Sequence, residues 1–135
     1  MAGYSPTPLF KKLGYKDGIR AHVIAEPPGY RTLLQLPKDL QPNWMPALQR
    51  EMDLIHLFAG SAAEVKQGVR LARRHLASAG ALWVSWPKQA SGIKTDVTEA
   101  VVRRTILETD LVDIKVCAVD DTWSGLKCVT RKALR

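Results

Sequence analysis

A nearly continuous apolar stretch runs from Met52 to Ala59, interrupted only by Asp53 and His56. A run that short and that apolar predicts a strand covered on both faces, as in a parallel sheet. Directly after it, Ala62, Val65, Val69, Ala72 and Leu76 recur at helical spacing, and Ser61 with Glu64 has the spacing of a capping box. The pattern then alternates: Leu82, Val84 and Trp86 share one face while Ala81, Trp83 and Ser85 share the other, which predicts a strand from Ala81 to Trp86 opened by Gly80. Pro87 to Lys94 reads as a loop, and Asp96 with Glu99 repeats the capping spacing at the head of a helix running to about Glu108. Strand and capped helix, twice over, predict right-handed parallel crossovers.

Both ends depart from that rhythm. At the start, Thr7 is placed to cap and Pro8 to open a short helix over Leu9 to Leu13 that Gly14 ends, with a turn at Lys16-Asp17-Gly18. Ile19 to Ala25 reads as a strand stopped by Glu26-Pro27-Pro28-Gly29, and Tyr30 to Leu36 as a brief helix. Pro37, Pro42 and Pro46 break any period between Pro37 and Arg50, so that stretch is expected to be irregular, with Trp44 and Met45 anchoring a short strand or turn. At the other end, Val112 to Val119 and Leu126 to Arg131 flank a turn-rich segment and predict an antiparallel hairpin built into the sheet. Symmetry about Thr122 and Trp123 would set Cys117 opposite Cys128, Val119 opposite Leu126 and Val116 opposite Val129.

Length and composition fit this reading. A chain of 135 residues with 46% hydrophobic and 24% charged residues is expected to form one domain, residues 1–135, around one core. The expected class is α/β: a three-layer, Rossmann-like domain with a mostly parallel sheet and a C-terminal antiparallel hairpin. No apolar run approaches the ~18 residues of a membrane span, and Met1 to Pro6 lacks the pattern of a secretory signal, so a cytoplasmic protein without membrane contact is expected.

Two cysteines are too few for a disulfide scaffold, and His22, His56 and His75 share no metal-ligand spacing, so no metal site is expected. The formal charge of +7 favours anionic partners.

A parallel α/β sheet finished by an antiparallel hairpin resembles a shortened class I methyltransferase variant of the Rossmann fold. That resemblance implies a central strand from Ile19, with Met52 and Ala81 following outward and the last strand inserted between the Ala81 strand and the one from Val112. More closely, Tyr4-Ser5-Pro6-Thr7-Pro8-Leu9, Ala81-Leu82-Trp83-Val84-Ser85-Trp86-Pro87-Lys88, Ser91-Gly92, Thr95-Asp96-Val97-Thr98-Glu99 and Lys115 to Lys127 look like a family of short bacterial proteins of unknown function. Membership implies no activity, catalytic residue or cofactor. Where a methyltransferase has a glycine-rich loop, this chain has Glu26-Pro27-Pro28-Gly29-Tyr30, in which two prolines cannot donate to a ligand.

The candidate chemistry therefore moves to the loop after Trp86, at the carboxyl end of a predicted strand. Lys88, Ser91, Gly92, Lys94, Thr95 and Asp96 gather two cations, hydroxyls, a flexible glycine and a helix N-terminus, a setting for phosphate or carboxylate. Asp120 and Trp123 on the hairpin tip, with Trp86, are candidates to complete a pocket. The expected role is a non-catalytic binding or regulatory domain for an anionic small molecule or nucleotide, its cofactor unknown. One alternative is nucleic-acid association through Arg70, Arg73, Arg74, Arg103, Arg104, Arg131, Lys132 and Arg135. The other is an enzyme using Lys88, Asp96 or Asp120 as acid or base.

Overall fold

The computed structural model describes residues 7–135; Met1 to Pro6, including Tyr4, Ser5 and Pro6 of the first motif, lie outside the described residues. In chain order the elements are α1 (Leu9–Leu13), β1 (Arg20–Ile24), α2 (Tyr30–Leu34), β2 (Asn43–Trp44), β3 (Met52–Phe58), α3 (Ala62–Arg73), β4 (Leu76–Pro87), α4 (Glu99–Leu107), β5 (Leu111–Ala118) and β6 (Trp123–Thr130). One six-stranded sheet takes the order β2-β1-β3-β4-β6-β5. The first four strands in that order are parallel, and β6 runs antiparallel between β4 and β5, as the resemblance implies. β1 is not central, because only the two-residue β2, formed around Trp44, lies outside it; β3 and β4 hold the middle.

Helices cover both faces. Alternation along β3 sends Ile55 and Leu57 to α3 and α4, where they meet Val65, Val69, Val102 and Ile106. Leu54 and Phe58 point the other way, toward Phe10 and Leu13 of α1 and Tyr30 and Leu34 of α2. The faces expected for β4 hold: Leu82, Val84 and Trp86 join the α3/α4 core, and Trp83 joins the α1/α2 core. Among the described residues no helix is long and apolar enough to cross a membrane.

Several boundaries depart from the pattern. Leu76, expected on the stripe of the Ser61 helix, instead begins β4 by pairing with Met52, because the ladder with β3 takes up the chain as soon as α3 ends. Gly80 does not open the strand. It lies where β4 passes the bulge after Met52, and a Cβ there would come within 2.7 Å of the Met52 carbonyl oxygen.

Asp96 does not cap its own helix; α4 begins two residues later, with the Thr98 side chain accepting from the Val101 N–H. The hairpin register also slides. Cys117 faces Gly125, Val116 faces Leu126 and Cys128 faces Asp113, with a bulge between Asp113 and Lys115. The cause is Asp120, whose carboxylate accepts from the N–H groups of Thr122 and Trp123 at 2.8 Å each, closing the turn early and drawing Trp123 into β6. Cys117 and Cys128 are both free thiols on opposite faces, and burial pushes Cys128 up to about 12.

Candidate functional site

Strand order reverses at β1: the chain steps outward to β2, then crosses back over β1 to β3. Carboxyl ends of strands at such a reversal leave a crevice between diverging loops, the usual ligand position in open α/β sheets. A cavity of about 380 Å³ opens there, lined by Ile24, Ala25, Leu57, Phe58, Gly68 and Leu71, with Glu64 and Gln67 beside them. Its walls are mostly hydrocarbon, and its volume lies in the range of small-molecule sites.

Local sequence explains its shape. Gly68 lets α3 approach β3 so closely that a Cβ would sit 2.5 Å from the Leu57 methyl groups. Ala25, directly after β1 and on the cavity wall, adopts φ 59, a left-handed conformation that costs a non-glycine residue about 1 kcal/mol. Glu64 is held by the Gly60 N–H and the Ser61 hydroxyl while Ser61 accepts from the Glu64 N–H, completing the capping box read from the sequence.

The loop expected to bind an anion lies one strand over and shares that helix start. Thr95 donates to the Gly60 carbonyl at 2.7 Å, and Asp96 accepts from the Ala62 N–H at 2.8 Å. An internal carboxylate therefore already meets the positive end of α3. Ser91 donates to the Lys88 carbonyl, and Gly92 supplies the φ of 77 that ends the short 3-10 turn Gln89–Ser91.

Lys88 is half-buried and its N–H bonds the Thr122 carbonyl at 2.7 Å, so loop and hairpin tip do meet; Lys94 is exposed. Asp120 serves the hairpin turn. Trp86 and Trp123 are not brought together: Trp86 is buried in the α3/α4 core, and Trp123 packs edge-on against Phe58 at 5.0 Å on the other face.

Pattern reading missed a buried chain of hydroxyl and imidazole groups. Tyr15 Oη lies 2.8 Å from Tyr30 Oη, which lies 2.7 Å from His56 Nδ1, and His56 Nε2 lies 2.7 Å from Ser85 Oγ. All four residues are buried. Burial lowers the His56 pKa to about 3, so the ring is neutral and passes one hydrogen bond in and one out. Burial likewise raises both tyrosines. Faint signals existed in the polar residues His56 and Ser85 inside apolar runs of β3 and β4, but their partners lie far apart in sequence. Among the described residues no three His, Cys, Asp or Glu side chains gather as metal ligands.

No protein-family model and no curated protein matches the chain by sequence. Solved structures match it by shape. A putative type 11 methyltransferase from Sulfolobus solfataricus aligns with TM-score 0.62 and 14% identity over 92% of this chain and 90% of that one. The fibrillarin of Aeropyrum pernix, solved with natively bound S-adenosyl-L-methionine, aligns with TM-score 0.54 and 16% identity over 85% of this chain and 68% of its own. A tRNA methyltransferase of B. subtilis, TrmK, gives TM-score 0.55 and 8% identity over 93% and 67%. The fold is therefore the Rossmann-like α/β fold of class I methyltransferases.

The cofactor of that fold class does not fit the residues present. The loop after β1 offers Pro27 and Pro28 where successive backbone donors are needed, and the Tyr30 N–H at its end is bound to the Pro27 carbonyl. The carboxyl end of β2, where an acidic residue would hold a ribose, carries Trp44-Met45-Pro46.

Proposed function

We propose that this protein is a ligand-binding domain that takes a small molecule with an apolar body at the carboxyl ends of β1 and β3. The cavity at the strand-order reversal carries the proposal, because it combines the position where this architecture binds ligands with hydrocarbon walls and adequate volume. Its neighbour, the Lys88 to Asp96 loop, adds Lys88 and Lys94, neither ion-paired among the described residues. An anionic group on the ligand, as in a nucleotide, suits that charge. Trp86 and Asp96 then support the site from the core and the α3 N-terminus, while Asp120 and Trp123 shape the adjoining tip. The role is binding, or regulation through binding: among the described residues the cavity rim offers only Glu64 and Gln67 as polar side chains, and the buried His56–Ser85 pair lies away from solvent.

Thermal denaturation against panels of nucleotides and metabolites tests this. A ligand at one hundred times its Kd stabilises by about 2.7 kcal/mol, a shift of several degrees. Leu71→Glu, at a rim residue already 42% exposed, should abolish the shift and leave the unliganded Tm nearly unchanged. A Tm unmoved by every compound at millimolar concentration would refute the proposal.

A further inference from the structure

The sheet face that carries Trp83 and Cys117 gathers lysines, none of them ion-paired with a carboxylate among the described residues. Lys115 and Lys127 stand directly opposite each other on β5 and β6, a like-charge cross-strand pair that weakens a sheet. Lys115 Nζ lies 5.9 Å from the Trp83 ring centre, and Trp83 donates at 2.8 Å to the Leu13 carbonyl, which brings the end of α1 with Lys12 and Lys16 to the same patch. Lys88 stands at its upper end, level with Thr122.

The charged groups acting on Lys127 are Lys115 and Lys16, and those acting on the Cys117 thiol are Lys12, Lys115 and Lys88. Every ion pair among the described residues uses an arginine, so these five lysines are unpaired there. Unneutralised repulsion in a folded sheet has no structural return, and it lowers the Lys127 pKa after burial has done so.

We propose that this lysine face binds the phosphodiester backbone of a nucleic acid. Extent separates a polymer from a single phosphate: five residues of strand separate the level of Lys88 from Lys127, about 16 Å at ~3.3 Å per residue. That length spans nearly five steps of the ~3.4 Å rise of one strand, room for at least four phosphates. Lysine ammonium groups are mobile point charges that neutralise phosphates without reading bases, so binding is independent of sequence. The surface is distinct from the α3 and α4 arginines, of which Arg73 is engaged by Asp110 and Arg103 by Glu99 and Asp113.

Fluorescence anisotropy with 20-nucleotide single-stranded RNA, single-stranded DNA and duplex DNA supplies the test, the three arms telling which polymer is bound. Affinity should fall roughly fifty-fold between 50 and 200 mM salt for four neutralised phosphates on a single strand. Lys115→Glu with Lys127→Glu should weaken binding about tenfold or more, whereas Lys66→Glu with Arg70→Glu on α3 should leave it within about twofold. Should the reversed pair fail to fold, Lys115→Gln with Lys127→Gln makes the same comparison.

Lys115→Glu alone replaces repulsion opposite Lys127 with attraction, so affinity should fall while Tm holds or rises. No binding to any oligonucleotide at 50 mM salt overturns the proposal. So does binding that survives the Lys115 and Lys127 replacements, or binding of free nucleoside triphosphate without binding of oligonucleotides. Leu71→Glu leaves this face intact, so the cavity reading and this one fail separately.

Discussion

On the side of the sheet covered by α3 and α4, the buried side chains are of apolar residue types, from Met52 and Ile55 through Trp86, Val102 and Ile106 to Cys128. On the side covered by α1 and α2, a hydrogen-bond chain from Tyr15 to Ser85 runs through the core, and Trp83 ties its indole to the end of α1. Helix length explains the difference. α3 and α4 have 12 and 9 residues and dock through apolar stripes with capped starts, whereas α1 and α2 have five residues each. Helices that short are unstable alone and carry too little apolar area to fix their own position. Directional bonds to the sheet supply what burial alone leaves undetermined.

Truncating the anchor of the polar side should have the largest effect. Trp83→Ala removes the largest fully buried side chain and strands the Leu13 carbonyl, at a cost of about 3–5 kcal/mol in urea unfolding. Near-ultraviolet circular dichroism and hydrogen exchange should show α1 loosening first. Equal loosening of α3 would break the contrast between the faces.

Acid should separate the faces next. His56 has a folded-state pKa of about 3 against an ordinary 6.5, so the unfolded chain binds the extra proton between those values. Its contribution is fully present above pH 6.5 and is lost as pH falls toward 3, at about 1.4 kcal/mol per unit once well below 6.5. Between pH 6.5 and 4.5 the loss should be about 2–3 kcal/mol, and His56→Leu should flatten that part of the profile. An unchanged slope in the variant would assign acid sensitivity elsewhere.

At neutral pH, His56→Leu leaves Tyr30 and Ser85 without their partner and should cost about 2 kcal/mol. Adding Tyr15→Phe, Tyr30→Phe and Ser85→Ala removes the stranded groups, so the quadruple variant should cost less than the sum of its parts. Strict additivity would show that the chain is not one unit. On the apolar side, Asp96→Ala removes the acceptor for the Ala62 N–H and should cost about 1 kcal/mol, the smallest effect here, measured by thermal melts.

The two crossovers were legible because apolar periodicity and capping residues are local: Ser61 with Glu64, the alternation through Trp86, and the nearly continuous apolar run from Met52 each identify an element without its neighbours. The hairpin was legible as a hairpin, but its register was not, since Asp120 closes the turn through bonds that composition does not order. Asp96 was read as a cap and is one, though for the helix before it and not the one after. The loop after Trp86 kept its position beside the hairpin tip, while the cavity formed one strand away, where the order of strands reverses.

Elements and faces therefore follow from the order of residues alone, because each depends on the spacing of a few positions. The cavity beside Gly68, the link from Tyr15 to Ser85 and the convergence of Lys12, Lys16, Lys88, Lys115 and Lys127 required the folded sheet. Hydrogen bonds and charge repulsion act over a few ångströms of space, and only the crossing of strands brings residues so distant in sequence within that reach.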